Sequence, residues 1–337
     1  MTRTMRIAYF SPLAPLRTGI SDYSEELLPH LCRRAQVDAY TDDRIAATQE
    51  VGRIYPLYGY RDLAQRERYD QLIFQLGNGP AHTPIYDLFL RHGGIAVLHD
   101  LDLSGIDGSR SLPAGNGWGL LWQVRRNQGL GTFLQTAGDL LLRGQWPRHP
   151  ALQANRLVPK RAAGLIVHTR SACALLTARH PEVPVAFVPM GIPRPPRIDT
   201  QEARQALGLP GEAFVCVSVG RIEPGKRIHV ALQAFARFLD RCPGSLYVVI
   251  GEPAADHSLQ EQAQALGIAD RVRLTGYVDL PTLYRYLAAC DVGLSLRYPT
   301  RSKMSASLLR LMSMGKPVVV SNCDPYAQLP NDCALKI

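Results

Sequence analysis

The chain has 337 residues, 46% of them apolar and 20% charged, a composition that excludes a disordered or low-complexity protein and exceeds what one hydrophobic core usually organises. No uninterrupted apolar run approaches the roughly 20 residues of a membrane-spanning helix, and Met1 to Ile7 is too short and polar for a signal peptide, so the expectation is a cytoplasmic, two-domain protein. The formal charge of +9 favours polyanionic partners, yet no helix-turn-helix, zinc-finger or RNP pattern accompanies it, which argues against nucleic acid.

In chain order, short apolar runs alternate with amphipathic stretches, the pattern of a parallel sheet covered by helices. Strands are predicted at Met5 to Phe10, Gln36 to Thr41, Gln71 to Leu76, Ile95 to His99, Gly164 to His168 and Val185 to Val188. A helix is predicted over Ser21 to Arg34, with Tyr23, Leu27, Leu28 and Leu31 on one face and Ser21 or Asp22 as cap. From Ser104 to Pro150 the periodicity survives only in patches, among Trp118, Trp122, Trp146 and several arginines. Four prolines in the eight residues from Pro189 to Pro196 mark the linker, which sets the domains at 1–190 and 191–337. Beyond it the scheme repeats, with strands at Ala213 to Val219, Ser245 to Gly251, Arg271 to Thr275, Asp291 to Leu296 and Pro317 to Ser321, and a last one beginning at Ala334. Two consecutive open α/β units predict two Rossmann-like domains with ligands beyond the carboxyl ends of their strands. The seven cysteines are scattered singly, without the spacing of a metal or redox motif, so no metal site is expected.

Two stretches carry charge-binding chemistry. In Val217 to Arg227 (VSVGRIEPGKR) a buried strand ends at Gly220 and delivers Arg221 and Lys226 to one loop. A diphosphate calls for that pairing: the guanidinium clamps oxygens bidentately, and the ammonium offsets charge on a departing group. The alternative is a solvated loop with helix-flanking charges. In Tyr298 to Arg310 (YPTRSKMSASLLR), Ser305, Ala306 and Ser307 open a helix whose first backbone N–H groups suit phosphate or sugar hydroxyls, against the alternative of ordinary serine capping.

The order and spacing of Gly220-Arg221, Lys226, Ser245 to Gly251, Gly276-Tyr277-Val278, Asp291 to Leu296 and Gly315 to Val319 resemble the donor domain of family 4 retaining glycosyltransferases, of the glycosyl transferases group 1 type. The resemblance implies the GT-B fold, two Rossmann-like domains facing a central cleft, with a nucleoside-diphosphate sugar as donor substrate and no further cofactor. It implies that Arg221 and Lys226 hold the diphosphate, that Tyr277 and Val278 border the base, and that Ser307 and Leu308 meet phosphate through their backbones, with Ser305 shaping that turn. In the first half, Pro15 to Ser24 and Leu98-His99-Asp100 carry the resemblance. They imply a close approach at Gly19, a donor-sugar contact for His99, and an acceptor side that includes Asp22, Tyr23 and Asp100. His168, at another strand end, reads as structural or acceptor-side.

The pattern departs from the family in two places. Where the family has a Glu-x7-Glu pair, alignment on Gly315 to Val319 places Ser302 and Arg310, with Lys303 beside the first. The family's closing C-terminal helices are expected to be missing after Ile337. The sequence therefore predicts transfer of a sugar to a saccharide or lipid-linked acceptor in polysaccharide biosynthesis, independent of metal, with peripheral contact on the inner membrane face through the Trp118 to Arg148 segment. It leaves open a weak or inactive GT-B-like subunit that binds a nucleotide or a partner glycosyltransferase, and, behind it, a nucleotide-sugar epimerase.

Overall fold

A computed structural model describes residues 3–46, 55–63, 68–106, 121–122, 124–126, 129–143, 156–253, 259–300 and 303–337. Trp118, Trp146, Arg148 and Ser302 lie outside these residues. The chain divides into two compact units, Met1–Gly191 with Arg301–Lys303, and Ile192–Thr300 with Met304–Ile337.

In the first unit the strands are β1 (Arg6–Phe10), β2 (Gln36–Thr41), β3 (Leu57–Gly59), β4 (Gln71–Leu76), β5 (Gly94–Leu98), β6 (Ala162–Val167) and β7 (Val185–Phe187). They form one parallel sheet in the order β3-β2-β1-β4-β5-β6-β7. The helices α1 (Gly19–Cys32), α2 (Asp43–Ala46), α3 (Thr83–His92), α4 (Leu130–Arg143), α5 (Leu157–Arg161) and α6 (Arg170–Arg179) belong to this unit. Alternate residues of β1 feed opposite faces: Ile7 and Tyr9 enter the core shared with Leu28 of α1, while Ala8 and Phe10 enter the core shared with Ile85 and Phe89 of α3. Burial on both sides is why these strands read as unbroken apolar runs. Phe10 stacks on Phe74 at 4.4 Å and on Tyr40 at 4.8 Å, tying three adjacent strands through one face.

The helix predicted over Ser21 to Arg34 begins two residues earlier, and its cap is Thr18 rather than Ser21 or Asp22. Thr18 is extended and its Oγ1 accepts from Ser21 N at 3.0 Å, while Asp22 falls in the first turn, where a carboxylate suits the helix dipole. The short strand β3 was not legible, because three residues after Pro56 offer too little periodicity.

The second unit holds β8 (Val215–Val219), β9 (Leu246–Ile250), β10 (Val272–Leu274), β11 (Val292–Ser295), β12 (Val318–Val320) and β13 (Leu335–Lys336), parallel and ordered β10-β9-β8-β11-β12-β13. Its helices are α7 (Thr200–Ala206), α8 (Ile228–Leu239), α9 (Leu259–Ala265), α10 (Leu280–Ala289) and α11 (Ala306–Ser313). The two-faced pattern repeats: Val248 and Ile250 pack with Leu287 and Leu308, Tyr247 and Val249 with Leu232 and Phe235. At its amino-terminal edge a buried Arg204 donates to Ala289 O at 3.0 Å and to Asp291 Oδ2 at 2.7 Å, and the same carboxylate accepts from Val215 N at 2.7 Å.

Strand order reverses direction between β1 and β4 in the first unit and between β8 and β11 in the second. Open parallel sheets bind ligands at such switch points, beyond the strands' carboxyl ends. Among the described residues no helix is long and apolar enough to cross a membrane.

Candidate functional site

In the second unit the loops on either side of the switch point are those after β8 and β11. Gly220 ends β8 with φ of 111°, which a side chain would resist, and its N–H donates to Ile250 O at 2.8 Å. A Cβ here would also lie 2.7 Å from Lys226 Nζ, so glycine lets the ammonium fold back over the strand end and donate to Val219 O at 3.0 Å. Gly251, at the end of the neighbouring strand, has φ of 140°, and a Cβ there would sit 2.7 Å from the Gly220 carbonyl carbon. Two glycines thus bring adjacent strand ends backbone to backbone and fix where Arg221 emerges. Arg221 is exposed and Lys226 half-buried.

The loop after β11 is fastened to the same turn, since Tyr298 N donates to Gly225 O at 2.9 Å and Arg297 pairs with Glu223 at 3.5 Å. It leads into α11, whose cap is Ser305: the Oγ accepts from Leu308 N at 3.3 Å. The Leu308 N–H that the sequence assigned to phosphate is therefore engaged by the cap. Ser307, Lys226, Ser218, Val219 and Ser295 line one small pocket at this strand end. Tyr277, exposed, and Val278, half-buried, follow β10 on the same edge of the sheet. Arg310 lies within α11 with 3% of its surface exposed, buried rather than presented to solvent.

In the first unit Gly19 is the first residue of α1, with open space where a side chain would stand. His99 follows β5 and His168 follows β6, and both are buried. Their rings approach to 4.9 Å, and the half-buried Tyr23 of α1 stands 4.9 Å from His99 and 5.5 Å from His168. Gln75, on β4, organises the other side: its carbonyl accepts from His82 Nδ1 at 3.0 Å and its Oε1 accepts from His99 Nε2 at 2.7 Å. Gly77 admits His82, since a Cβ at 77 would lie 2.8 Å from His82 Nε2. Nothing in the sequence pointed to His82 or Gln75.

Electrostatically these histidines are held neutral. Burial pushes His82 down to about 4, with the nearby Lys303 adding to the effect, and it carries His99 well below its ordinary value, helped by His168, His82 and Lys303. His168 is lowered by burial, against its bond to Val188. Asp100 is raised by burial, opposed by Lys303, whose ammonium bonds its carboxylate within this unit. The positive charge of Lys303, beside the first position of the family's carboxylate pair, is thereby matched by a carboxylate. Asp102 accepts from Ser104 N at 3.0 Å in a local turn. Asp22 sits in the first turn of α1.

Exposed apolar side chains concentrate around α4, at Leu130, Leu134, Leu141 and Leu142, with exposed Trp122 nearby in sequence and Arg125 5.3 Å over its ring.

Residues 199–332 match the family model for glycosyl transferases group 1. A D-inositol 3-phosphate glycosyltransferase 2 of Catenulispora acidiphila is 33% identical over 132 residues, 36% of this chain and 30% of that protein, so the match spans less than a third of the relative's length. Among solved structures, Anabaena Alr3699/HepE in complex with UDP and glucose superposes with a TM-score of 0.63 over 97% of this chain and 83% of its own at 17% identity. Sucrose-phosphate synthase from Thermosynechococcus elongatus does so with a TM-score of 0.67 over 99% and 86% at 15% identity. The likeness covers both units and is one of fold: the chain has the two-domain, Rossmann-like GT-B fold.

Proposed function

We propose that this chain, whose second unit carries a glycosyl transferases group 1 domain, is a retaining glycosyltransferase that moves a sugar from a nucleoside diphosphate to a saccharide or lipid-linked acceptor. The observation that carries the reading is the strand end at Gly220, at the switch point of the matched domain, where Lys226 and Ser307 line one pocket and the exposed Arg221 follows Gly220 directly. Arg221 and Lys226 would stabilise the departing diphosphate, Tyr277 and Val278 would border the base, and Ala306 and Ser307 would offer N–H groups at the start of α11. Gly19 would shape the diphosphate's pocket and His99 would orient the sugar, with Asp22, Tyr23 and Asp100 on the acceptor side. In this mechanism the leaving phosphate takes the acceptor's proton on the same face, so the protein contributes position and field rather than a base. The reading assigns no metal. It extends to an anionic membrane surface met by Trp122, Arg125 and the exposed leucines of α4, which vesicle co-sedimentation with and without anionic lipid tests.

A weak or inactive nucleotide-binding subunit is the second reading, favoured by the buried Arg310, where the family pattern has a carboxylate, and by Lys303, which stands beside the pattern's other carboxylate position and is bound to Asp100. Calorimetric titration with UDP, GDP and their sugar conjugates separates the two. Arg221→Ala is expected to weaken nucleotide binding about 10- to 100-fold, the worth of one charge-assisted contact of about 1.5–3 kcal/mol, and Lys226→Ala to weaken it further. Undiminished binding in the double variant refutes the site, whereas nucleotide binding without sugar transfer selects the second reading.

A further inference from the structure

Arg227, next in sequence to Lys226, caps α8 in the left-handed region, with φ of 55° and ψ of 35°. Among the described residues it is the only one other than glycine with a positive φ, a conformation that glycine adopts without the steric cost an arginine carries. Its side chain makes no cap bond to the helix. The guanidinium stands instead over the ring of Tyr298, 6.0 Å from the centroid, on the loop after β11. That loop is held in place by Tyr298 N donating to Gly225 O and by Cys323 Sγ, after β12, donating to Arg297 O at 3.6 Å. Tyr298 is therefore a fixed platform, 59% exposed, with a half-buried cation laid on it.

The neighbouring cations are engaged: Arg297 pairs with Glu223, and Lys226 Nζ donates to Val219 O. Among the described residues no carboxylate or carbonyl accepts from the Arg227 guanidinium, so its planar fork of N–H donors is open to a ligand. Such a fork matches the paired oxygens of a carboxylate or phosphate, whereas a neutral hydroxyl leaves the charge unanswered. Backbone strain held at a residue with no structural partner but one ring points to use of its side chain. We propose that Arg227, seated on Tyr298, is an oxyanion subsite separate from the diphosphate clamp, for a carboxylate or phosphate that the transferred sugar carries itself. As part of the donor's site it rests on the reading of the Gly220 strand end as the diphosphate's place.

The test uses the full chain labelled with 15N at arginine and titrated with inorganic phosphate, D-glucuronate and, as the neutral control, D-glucose. The Arg227 Nε resonance, assigned by its loss in Arg227→Gly, is expected to move saturably with an oxyanion and to stay fixed with glucose. Glycine suits the left-handed backbone, so Arg227→Gly is expected to keep its melting temperature while raising the Kd of the responding oxyanion about 10-fold or more, the worth of a charge-assisted bond. Arg227→Lys, which keeps the charge without the fork, recovers part of the loss. Response to phosphate alone marks a phosphorylated sugar, and response to glucuronate an acidic one. A resonance fixed under both oxyanions, moved equally by glucose, or moved no more than that of the exposed Arg194 overturns the subsite. Where the variant fails to fold, the wild-type resonance decides alone. UDP and GDP titrated into the same sample separate the two readings. Oxyanion binding that persists at nucleotide saturation keeps both, whereas a nucleotide that displaces the oxyanion returns Arg227 to the diphosphate clamp and overturns the separate subsite. Binding of neither nucleotide with a moving Nε removes the donor label and keeps the oxyanion site, and a bound nucleotide with an Nε fixed under both oxyanions does the reverse.

Discussion

Acidification offers a direct test of the buried histidines. His82 lies 4% exposed against Gln75, and burial holds its imidazole near 4 when an unfolded chain would titrate at 6.5. For a depressed basic group the sign is fixed: the stability is fully present above 6.5 and is lost as pH falls toward the folded value, because the unfolded chain takes up the proton first. The shift of about 2.5 units, at 1.36 kcal/mol each, amounts to about 3 kcal/mol by pH 4 and about 2 kcal/mol already at pH 5. His99 and His168 act in the same direction, while Asp100, raised by burial, acts oppositely near and above its ordinary carboxylate range. Urea titration at pH 7 and pH 5, followed by tryptophan fluorescence, reads the first unit, because Trp118, Trp122 and Trp146 all lie in its sequence. With a slope of about 2 kcal/mol per molar urea, the midpoint should drop by roughly 1 M more in the native chain than in His82→Gln. Equal losses in the two proteins would show that the imidazole is not held neutral and would remove the basis for this account of the cluster.

Gly251→Ala should cost the second unit about 1–3 kcal/mol of backbone strain at φ of 140°, beyond the overlap with the Gly220 carbonyl carbon, and by displacing Arg221 should weaken UDP binding as well. Gly315→Ala, at φ of 71° with open space around it, serves as the comparison, and a Gly251 variant no worse in melting temperature or UDP titration would contradict the backbone packing described here. Arg204→Leu should destabilise the second unit by about 3 kcal/mol, at the low end for a broken buried pair because Asp291 keeps about a third of its surface exposed. Chemical denaturation measures it, and a loss below about 1 kcal/mol would mean that the guanidinium supports little.

Much of the fold is legible in sequence because strands buried on both faces, such as Val215–Val219, are apolar runs that need no partner to be recognised. The diphosphate candidates are legible for a related reason: Gly220, Arg221 and Lys226 fall within seven residues of one strand end, so local geometry alone brings them together. Helix ends were less certain, since Thr18, Ser21 and Asp22 are all competent caps and only the backbone path selects Thr18. Strand order is a property of the assembled sheet, so the switch points that give these loops their meaning appear only in the tertiary structure. The same holds for Gln75 between His82 and His99, for Arg227 over the Tyr298 ring, and for Lys303 against Asp100, 203 residues apart. The sequence by itself determines what recurs along the chain, the periodic apolar runs and the short motifs at strand ends. Burial, charge compensation and tautomer are set by neighbours distant in the chain, and those the tertiary structure alone decides.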